Sequence, residues 1–315
     1  SQLFSQTCST GKVDERLAGL LQLKPGLTHE QIRSVSIDKL KADMQGPFRK
    51  LPEDSVKRIT ITKNNIRVNV VAPSARPGLP VVIHFHSGGF IKPLLPSMEY
   101  EAMRLARELN AVVFDVDYRV APEHKFPAAA NDAYEAFVWI QEHAMEFGGD
   151  TSKIILSGIG AGANLAALTS HRARKEGKSL PIRLVALRCP PTDNPMISYY
   201  SSWEDNANGY LVSKDESIFH FQTYLDKSEW YRNNPAMWPI YEHDLKGLPP
   251  HLIITAEFDL FRDEGIAYGK KLEQAGNTVA IKCFPHQIHG FQGLPENAAE
   301  IERVYELMRE SMARF

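Results

Sequence analysis

The sequence predicts an α/β protein in which helices cover both faces of a mostly parallel, doubly wound sheet. The main observation is that short apolar runs alternate with amphipathic helical segments along most of the chain. A second is that the length, 315 residues, and the composition, 43% hydrophobic and 23% charged, are those of one large globular domain. A helical N-terminal stretch and an aromatic-rich stretch depart from this alternation and predict two accessory segments.

The N-terminal part of the chain predicts a cap followed by a hairpin. Residues 1–50 show helical patterning and no strand signal, so we expect an N-terminal helical cap segment there. From Val56 the pattern becomes alternating, and VKRITIT and IRVNVVA predict two strands joined by a hairpin-type turn. Three buried strands are expected next, at VVIHFH, AVVFDV and KIILSG. The segments that follow these strands predict helices: MEYEAMRLARELN, AANDAYEAFVWIQEHAMEF and ANLAALTSHRARKEG.

The C-terminal part continues the alternation around one interruption. IRLVALRC, HLIITAEF and TVAIKCF predict three further strands, with helices over DEGIAYGKKLEQAG and residues 296–315. Residues 190–249 lose the alternation and gather aromatic side chains, which predicts a cap insertion over the carboxyl edge of the sheet. We therefore expect one main domain over residues 51–315 that carries this insertion.

Charge and cysteine use exclude several classes of function. The 36 Lys and Arg residues nearly balance the 38 Asp and Glu residues, and no basic run is present, so nucleic acid is not an expected partner. No apolar run approaches the roughly 20 residues of a membrane span, and the N-terminus lacks the pattern of a signal peptide. The three cysteines, Cys8, Cys189 and Cys283, are odd in number and widely spaced. This spacing predicts neither a disulfide framework nor a metal site, and it favours a reducing, cytoplasmic location.

Four segments that follow strand ends combine three of catalytic character with one, the second, that resembles a structural brace. They are HFHSGGF at 84–90, DYRVAPEH at 117–124, GIGAGAN at 158–164, and the pair formed by Asp259 and His289 after later strands. The paired glycines Gly88 and Gly89 allow backbone N–H groups to face an anion without obstruction by a Cβ atom. Because ligands of open α/β sheets bind at the carboxyl ends of the strands, we expect the four segments to share one crevice.

In this order and spacing, the segments resemble the hormone-sensitive-lipase type of α/β-hydrolase, which includes plant and microbial carboxylesterases. The matching segments run from about Val81 to Phe291, and the resemblance implies the α/β-hydrolase fold. It also implies roles residue by residue. The oxyanion-hole amide donors correspond to Gly88, Gly89 and Ala161, the triad acid to Asp259, and the triad base to His289.

The serine nucleophile of this family falls on Gly160, which has no side-chain oxygen. Acyl transfer through a covalent intermediate needs that oxygen, whereas proton transfer by His289 and Asp259 does not. We therefore expect a non-hydrolytic enzyme: a lyase, dehydratase or cyclase acting on a hydrophobic small molecule in specialised metabolism. The carboxylesterase-like dehydratases and cyclases that the chain resembles imply such chemistry, although they keep a hydroxyl residue at this position. Ile159 and Ser87 also differ from the family pattern, which favours natural divergence.

Two alternatives remain open at this stage. The chain could be a catalytically inactive small-molecule receptor or binding protein, or a weak esterase in which His289 activates water. Ser87, beside the anion site, could donate a proton or act as a displaced nucleophile. The candidate substrate-binding residues are Ser87, Phe90, Tyr199, Tyr200, Trp203 and Phe221.

No metal and no cofactor are expected. His84 with His86, and His286 with His289, lack a third ligand at a metal-like spacing. The glycines of GIGAGAN do not have the spacing of a dinucleotide-binding fingerprint. The expected partner is the hydrophobic substrate, and a homodimer is left open as the assembly.

Overall fold

The fold is taken from a computed structural model and is built on one sheet. The structure describes residues 8, 11–17, 21, 31, 56–61, 65–73, 77–208, 210–294 and 297–314. The strands are β1 Val56–Ile61, β2 Ile66–Val71, β3 Leu79–Phe85, β4 Val112–Asp117, β5 Gly149–Ile159, β6 Ile182–Arg188, β7 His251–Phe258 and β8 Val279–Ile288. Across the described residues they form one eight-stranded sheet in the order β1-β2-β4-β3-β5-β6-β7-β8.

The sheet is mostly parallel, as the alternation of strands and helices predicted. The hairpin strands β1 and β2 pair antiparallel, and β2 also pairs antiparallel with β4. All pairs among the strands β3 to β8 are parallel. Their side chains are almost entirely buried at β3, β6 and β7 because helices cover both faces. The predicted fold class is confirmed.

Seven helices pack on this sheet or lie in the insertion, within the part of the chain described here. They are α1 Pro96–Leu109, α2 Ala128–His143, α3 Ala161–Lys175, α4 Ser201–Asp205, α5 Lys214–Tyr224, α6 Arg262–Gln274 and α7 Ala298–Arg314. Short 3-10 helices span Glu15–Leu17, Ala144–Phe147, Pro239–Tyr241 and Phe291–Gly293. Apolar residues of α1 and α7 form the core on one face of the sheet, and those of α2, α3 and α6 form the core on the other.

Most of the predicted cap segment 1–50 lies outside the described residues. Its longest described stretch, residues 11–17, contacts the ends of β7 and β8. The backbone N–H of Gly11 donates to Glu257 Oε1 at 2.9 Å, and that of Asp14 donates to the carbonyl oxygen of His286 at 3.0 Å. Leu17 is fully buried. The boundaries of the cap segment, the main domain and the insertion remain predictions.

A disulfide joins Cys8 to Cys283, with Cα atoms 5.8 Å apart. The expectation of no disulfide was therefore wrong. The two cysteines are 275 positions apart, and only the docking of the N-terminal segment on β8 brings them together. Cys189 is free and buried. Because disulfides persist mainly in oxidising compartments, the expectation of a reducing, cytoplasmic location loses its basis.

Within the described ranges, no helix combines the length and the apolar character needed to cross a membrane.

Candidate active site

The turn between β5 and α3 places Gly160 at the N-terminal end of α3. Its backbone has φ 54° and ψ −120°, a combination that is strained for a residue with a side chain. The Gly160 N–H donates to the carbonyl oxygen of Arg188 at 2.9 Å. The Gly160 carbonyl oxygen accepts the N–H groups of Ala163 and Asn164 at 2.9 and 3.2 Å. Backbone hydrogen bonds to the end of β6 and within α3 thus hold the turn, although residue 160 has no side chain.

The glycines on either side of this position are required by close packing. A Cβ atom at Gly162 would lie 1.9 Å from the carbonyl oxygen of Phe85. A Cβ atom at Gly158 would lie 2.2 Å from the carbonyl carbon of Gly162. Helix α3 therefore begins in direct backbone contact with the ends of β3 and β5.

Asp259 and His289 meet at the ends of β7 and β8. Nδ1 of His289 lies 3.0 Å from Oδ1 of Asp259, which is hydrogen-bond distance. The Asp259 carboxyl is fully buried, and the His289 side chain is 15% exposed. A Cβ atom at Gly160 would lie 3.4 Å from Nε2 of His289. The ring nitrogen that is not bonded to Asp259 therefore faces the bare Cα of residue 160.

The charge state of His289 depends on two carboxylates. Burial lowers the pKa of His289, but the charge and hydrogen bond of Asp259, together with the charge of Glu216, outweigh burial, and the pKa is raised. Phe261 packs edge-on against the His289 ring, with centroids 5.3 Å apart. Its N–H donates to Oδ1 of Asp259 at 3.0 Å, which fixes the carboxylate. His289 is therefore a well-oriented base with increased basicity.

Cys189 lies next to this pair but is not a nucleophile. The donor atoms of Cys189, Asp259 and His289 are all within 4.8 Å of one another. Burial and the Asp259 charge raise the pKa of the Cys189 thiol well above its usual value, so the thiol stays protonated. The direct hydrogen bond between Asp259 and His289 is the arrangement of an acid–base pair.

The predicted anion-binding loop has the backbone that its glycines allow. Gly88 and Gly89 have φ values of 119° and 61°. The Gly88 carbonyl oxygen accepts the N–H groups of Ile91 and Lys92 at 3.1 and 3.0 Å, which closes the loop as a tight turn. Ala161 is the first residue of α3, where backbone N–H groups have no partner within the helix. The three amides thus lie on the loop and the helix that border Gly160.

The segment 117–124 contacts the start of the anion-binding loop through Tyr118. The Tyr118 ring stacks on His86 with centroids 4.1 Å apart, and its hydroxyl donates to the carbonyl oxygen of His86 at 2.9 Å. Nδ1 of His86 donates to the carbonyl oxygen of Ser87 at 2.6 Å. Arg119 forms an ion pair with the buried Asp132 of α2. These contacts hold the backbone of Ser87 in place.

The aromatic residues predicted to bind substrate occupy different surroundings. Phe90 is buried and stacks on Tyr224 of α5, with centroids 4.4 Å apart. Phe221 is buried between Trp238 and Phe261, at centroid distances of 5.0 and 6.3 Å. Through Phe261, Phe221 is one ring away from His289.

The other three rings belong to the insertion. Trp203 is buried, and its Nε1 donates to Glu264 at 2.9 Å. The Tyr200 hydroxyl donates to Asp193 at 2.6 Å. Tyr199 is 77% exposed. Their roles in substrate binding remain predictions, as does that of Ser87.

Three polar side chains beside the site were not predicted from the sequence: Lys92, Glu216 and His220. Lys92 directly follows the anion-binding loop, and the other two lie in α5 of the insertion. All three are buried. A lysine just after the HSGGF segment was the one signal available, because α5 carries no motif.

Known proteins resemble this chain in sequence and in structure. A family model of the alpha/beta hydrolase fold matches residues 82–293. Carboxylic ester hydrolase LipN of Mycobacterium tuberculosis (strain ATCC 25618 / H37Rv) is 38% identical over 228 residues, which are 70% of this chain and 60% of LipN. Carboxylesterase NlhH of the same strain is 34% identical over 255 residues, 79% of each chain. The solved esterase of Pyrobaculum calidifontis has a TM-score of 0.83 at 30% identity and covers 95% of this chain and 98% of its own.

These relatives correct the functional expectation. They are named as ester hydrolases, so the expectation of a lyase, dehydratase or cyclase of specialised metabolism is contradicted. The expectation gave too much weight to one absent side chain. The His289 and Asp259 pair and the fold around it are compatible with ester hydrolysis, and the likeness to carboxylesterases favours that chemistry.

Proposed function

Because the chain belongs to the alpha/beta hydrolase fold family, we propose that it hydrolyses carboxylic esters with water activated by His289. The observation that carries the proposal is the hydrogen-bonded pair of Asp259 and His289, whose free ring nitrogen faces Gly160. In this proposal Gly160 stands where the family has its serine nucleophile. A water molecule replaces the serine hydroxyl as the attacking group.

In the first step, Nε2 of His289 takes a proton from water while the water oxygen attacks the ester carbonyl carbon. Nδ1–H donates to Asp259, which fixes the tautomer and stabilises the imidazolium that forms. The space beside Gly160 suits this water, since a Cβ atom there would already lie 3.4 Å from Nε2. The raised pKa of His289 makes it a stronger base for this step.

In the second step, the negative charge on the former carbonyl oxygen is stabilised by the backbone N–H groups of Gly88, Gly89 and Ala161. The tetrahedral intermediate collapses, and the imidazolium returns its proton to the departing alkoxide. The products are a carboxylic acid and an alcohol, and no acyl-enzyme forms. Turnover is slower than with a serine, because the reaction lacks the easier two-step covalent route.

We propose a hydrophobic acyl or alcohol group for the substrate. The apolar surroundings support this: Phe261 contacts His289, and Phe221 packs behind Phe261. Apolar walls with a few convergent polar groups are typical of small-molecule sites.

The test combines hydrolysis of p-nitrophenyl butyrate with intact-mass measurement after fluorophosphonate treatment. We expect slow turnover without a covalent adduct or a burst of product. His289→Ala and Asp259→Asn should each reduce kcat by on the order of 10²-fold or more. Asp263→Asn is the matched control, because Asp263 lies in the first turn of α6 and bonds Ser201 and Ser202 rather than His289.

Two results would contradict the proposal. One is turnover that survives His289→Ala unchanged. The other is stoichiometric labelling by the fluorophosphonate, which would identify a displaced nucleophile such as Ser87.

A further inference from the structure

Three side chains with metal-binding chemistry stand at the ends of three neighbouring strands. Cys189, Asp259 and His289 are the first residues after β6, β7 and β8, and these strands are adjacent in the sheet. One donor atom from each residue lies within 4.8 Å of the donor atoms of the other two. No short spacing marks the three residues in the sequence, because the parallel sheet brings them together. We call Cys189, Asp259 and His289 the strand-end cluster.

The strand-end cluster offers the kinds of donor atom that Zn²⁺ prefers. Cysteine sulfur, histidine nitrogen and carboxylate oxygen are the usual zinc ligands in proteins, and sites with three such ligands keep one position open for water. Mg²⁺ and Ca²⁺ are hard cations that take oxygen ligands almost exclusively, and only one of the three residues supplies oxygen. The donor set therefore selects a softer divalent cation.

The charges of the strand-end cluster match a buried divalent cation. The Cys189 and Asp259 side chains are fully buried, and the His289 side chain is 15% exposed. A thiolate and a carboxylate together carry two negative charges, so their complex with Zn²⁺ and a neutral imidazole has no net charge. A neutral complex avoids the large free-energy cost of an unpaired charge in the protein interior. The exposed part of His289 is where a cation from solvent can approach.

One donor atom of the strand-end cluster lacks a hydrogen bond. Oδ1 of Asp259 accepts the Phe261 N–H and lies 3.0 Å from Nδ1 of His289. Oδ2 of the same carboxylate is buried and is outside hydrogen-bonding geometry with every residue that the structure describes. Leaving a buried carboxylate oxygen without a partner is costly, and a bound cation would satisfy it.

We propose that the strand-end cluster is an inhibitory zinc site, in which Sγ of Cys189, a carboxylate oxygen of Asp259 and a ring nitrogen of His289 coordinate Zn²⁺. Binding releases the thiol proton to solvent, because a thiol that coordinates zinc is deprotonated by the cation. A water molecule supplies the fourth ligand of the tetrahedral complex.

A bound Zn²⁺ removes the base from the proposed hydrolysis. If Nε2 of His289 is the ligand, its lone pair can no longer accept a proton from water. If Nδ1 is the ligand, the single proton of the neutral ring lies on Nε2, which then has no lone pair to offer. His289 therefore stops acting as a base in both arrangements. The inhibition rests on the function proposed above, whereas the binding of the metal does not.

Titration with Co²⁺ tests the binding, because Co²⁺ replaces Zn²⁺ in tetrahedral sites and its thiolate complexes absorb in the near ultraviolet. With the disulfide formed, Cys189 is the one thiol among the three cysteines of the chain. Protein freed of metal with EDTA, without reductant, should develop the thiolate absorption at one equivalent of Co²⁺, and Zn²⁺ should abolish the absorption by displacement. Protein that binds no Co²⁺, or binds it without this absorption, would overturn the proposal.

Substitutions identify the ligands. Cys189→Ser should abolish the thiolate absorption, and both Cys189→Ser and Asp259→Asn should weaken Zn²⁺ binding by on the order of 10²-fold or more. The matched control carries Cys8→Ser and Cys283→Ser, which leaves Cys189 as the only cysteine, so it should keep the absorption. Zn²⁺ affinity that stays unchanged in Cys189→Ser would overturn the site, because the cation would then be bound by other side chains.

Hydrolysis of p-nitrophenyl butyrate tests the inhibition. Zn²⁺ should lower turnover by on the order of 10²-fold, at the same concentration at which it displaces Co²⁺, and EDTA should restore turnover. Unchanged or faster turnover at a saturated site would overturn the inhibitory role. Protein that binds Co²⁺ through Cys189 but hydrolyses no ester without metal would reject the proposed function and leave the metal site standing.

Discussion

The two halves of the candidate site differ in what they present: one presents polar side chains and the other presents only backbone. The half formed by the ends of β7 and β8 keeps its side chains, because Asp259 and His289 are hydrogen-bonded. The half formed by the turn between β5 and α3 keeps only its backbone, because Gly160 has no side chain. The geometry of the turn therefore depends on the close packing of its glycines and on helix α3, and not on a reactive side chain at residue 160.

Gly160→Ser tests whether the two halves are still aligned, and it has the largest expected effect. A serine oxygen beside Nε2 of His289 restores the covalent route, so ester turnover should rise on the order of 10³–10⁴-fold and a fluorophosphonate adduct should form. The positive φ of residue 160 makes the variant less stable by about 1–3 kcal/mol. Kinetics with p-nitrophenyl butyrate and intact-mass analysis measure both changes.

Gly160→Ala is the matched control for this gain. Alanine experiences the same backbone strain but supplies no oxygen, so turnover should not rise and no adduct should form. A folded Gly160→Ser protein with no gain would mean that His289 or the anion-binding amides are not aligned with residue 160.

The same contrast explains what could be predicted from sequence. Asp259 directly follows the apolar strand β7 and His289 directly follows β8, and parallel strands bring their carboxyl ends together, so the pair could be predicted. The strand series was predictable for the same reason, since buried strands are marked by local apolar runs. The structure still differs in detail: α2 ends at His143, before a short 3-10 helix, and β8 continues to Ile288.

Contacts between segments without a repeating pattern could not be predicted. Glu216 and His220 are brought to the anion-binding loop by the path of the insertion, which no local motif encodes. Cys8 meets Cys283 only because the N-terminal segment docks on β8. The functional expectation was wrong for a different reason. It relied on the missing side chain at Gly160 and gave less weight to the hydrolase fold and to the pair formed by His289 and Asp259.

Gly162→Ala tests whether the turn depends on the close approach of α3 to the end of β3. Its Cβ atom would lie 1.9 Å from the carbonyl oxygen of Phe85, and the three nearest atoms all belong to the backbone of Phe85 and His86, so no flexible side chain can move away. We expect a loss of about 3 kcal/mol in the free energy of unfolding, measured by urea denaturation. Gly293→Ala is the control, because nothing lies within 4 Å of a Cβ atom there. Equal stability of the two variants would show that α3 does not depend on this close approach.

We expect the disulfide to stabilise β8, the strand that His289 follows, and its effect on the free energy of unfolding should be smaller than that of Gly162→Ala. Cys283 lies in β8, and residues 11–17 bond the backbone around His286 and the side chain of Glu257. Reduction frees the N-terminal segment from its covalent tether, yet those hydrogen bonds can still form. We therefore expect the free energy of unfolding to fall by about 2 kcal/mol, the lower end of the usual range for a disulfide.

Urea denaturation with and without dithiothreitol measures this change, and a protein carrying both Cys8→Ser and Cys283→Ser should not respond to the reductant. If the reductant lowered the free energy of unfolding of the double variant by the same amount, the change would not come from this disulfide. If the reductant had no effect on the unmodified protein, the disulfide of the N-terminal segment would not stabilise β8.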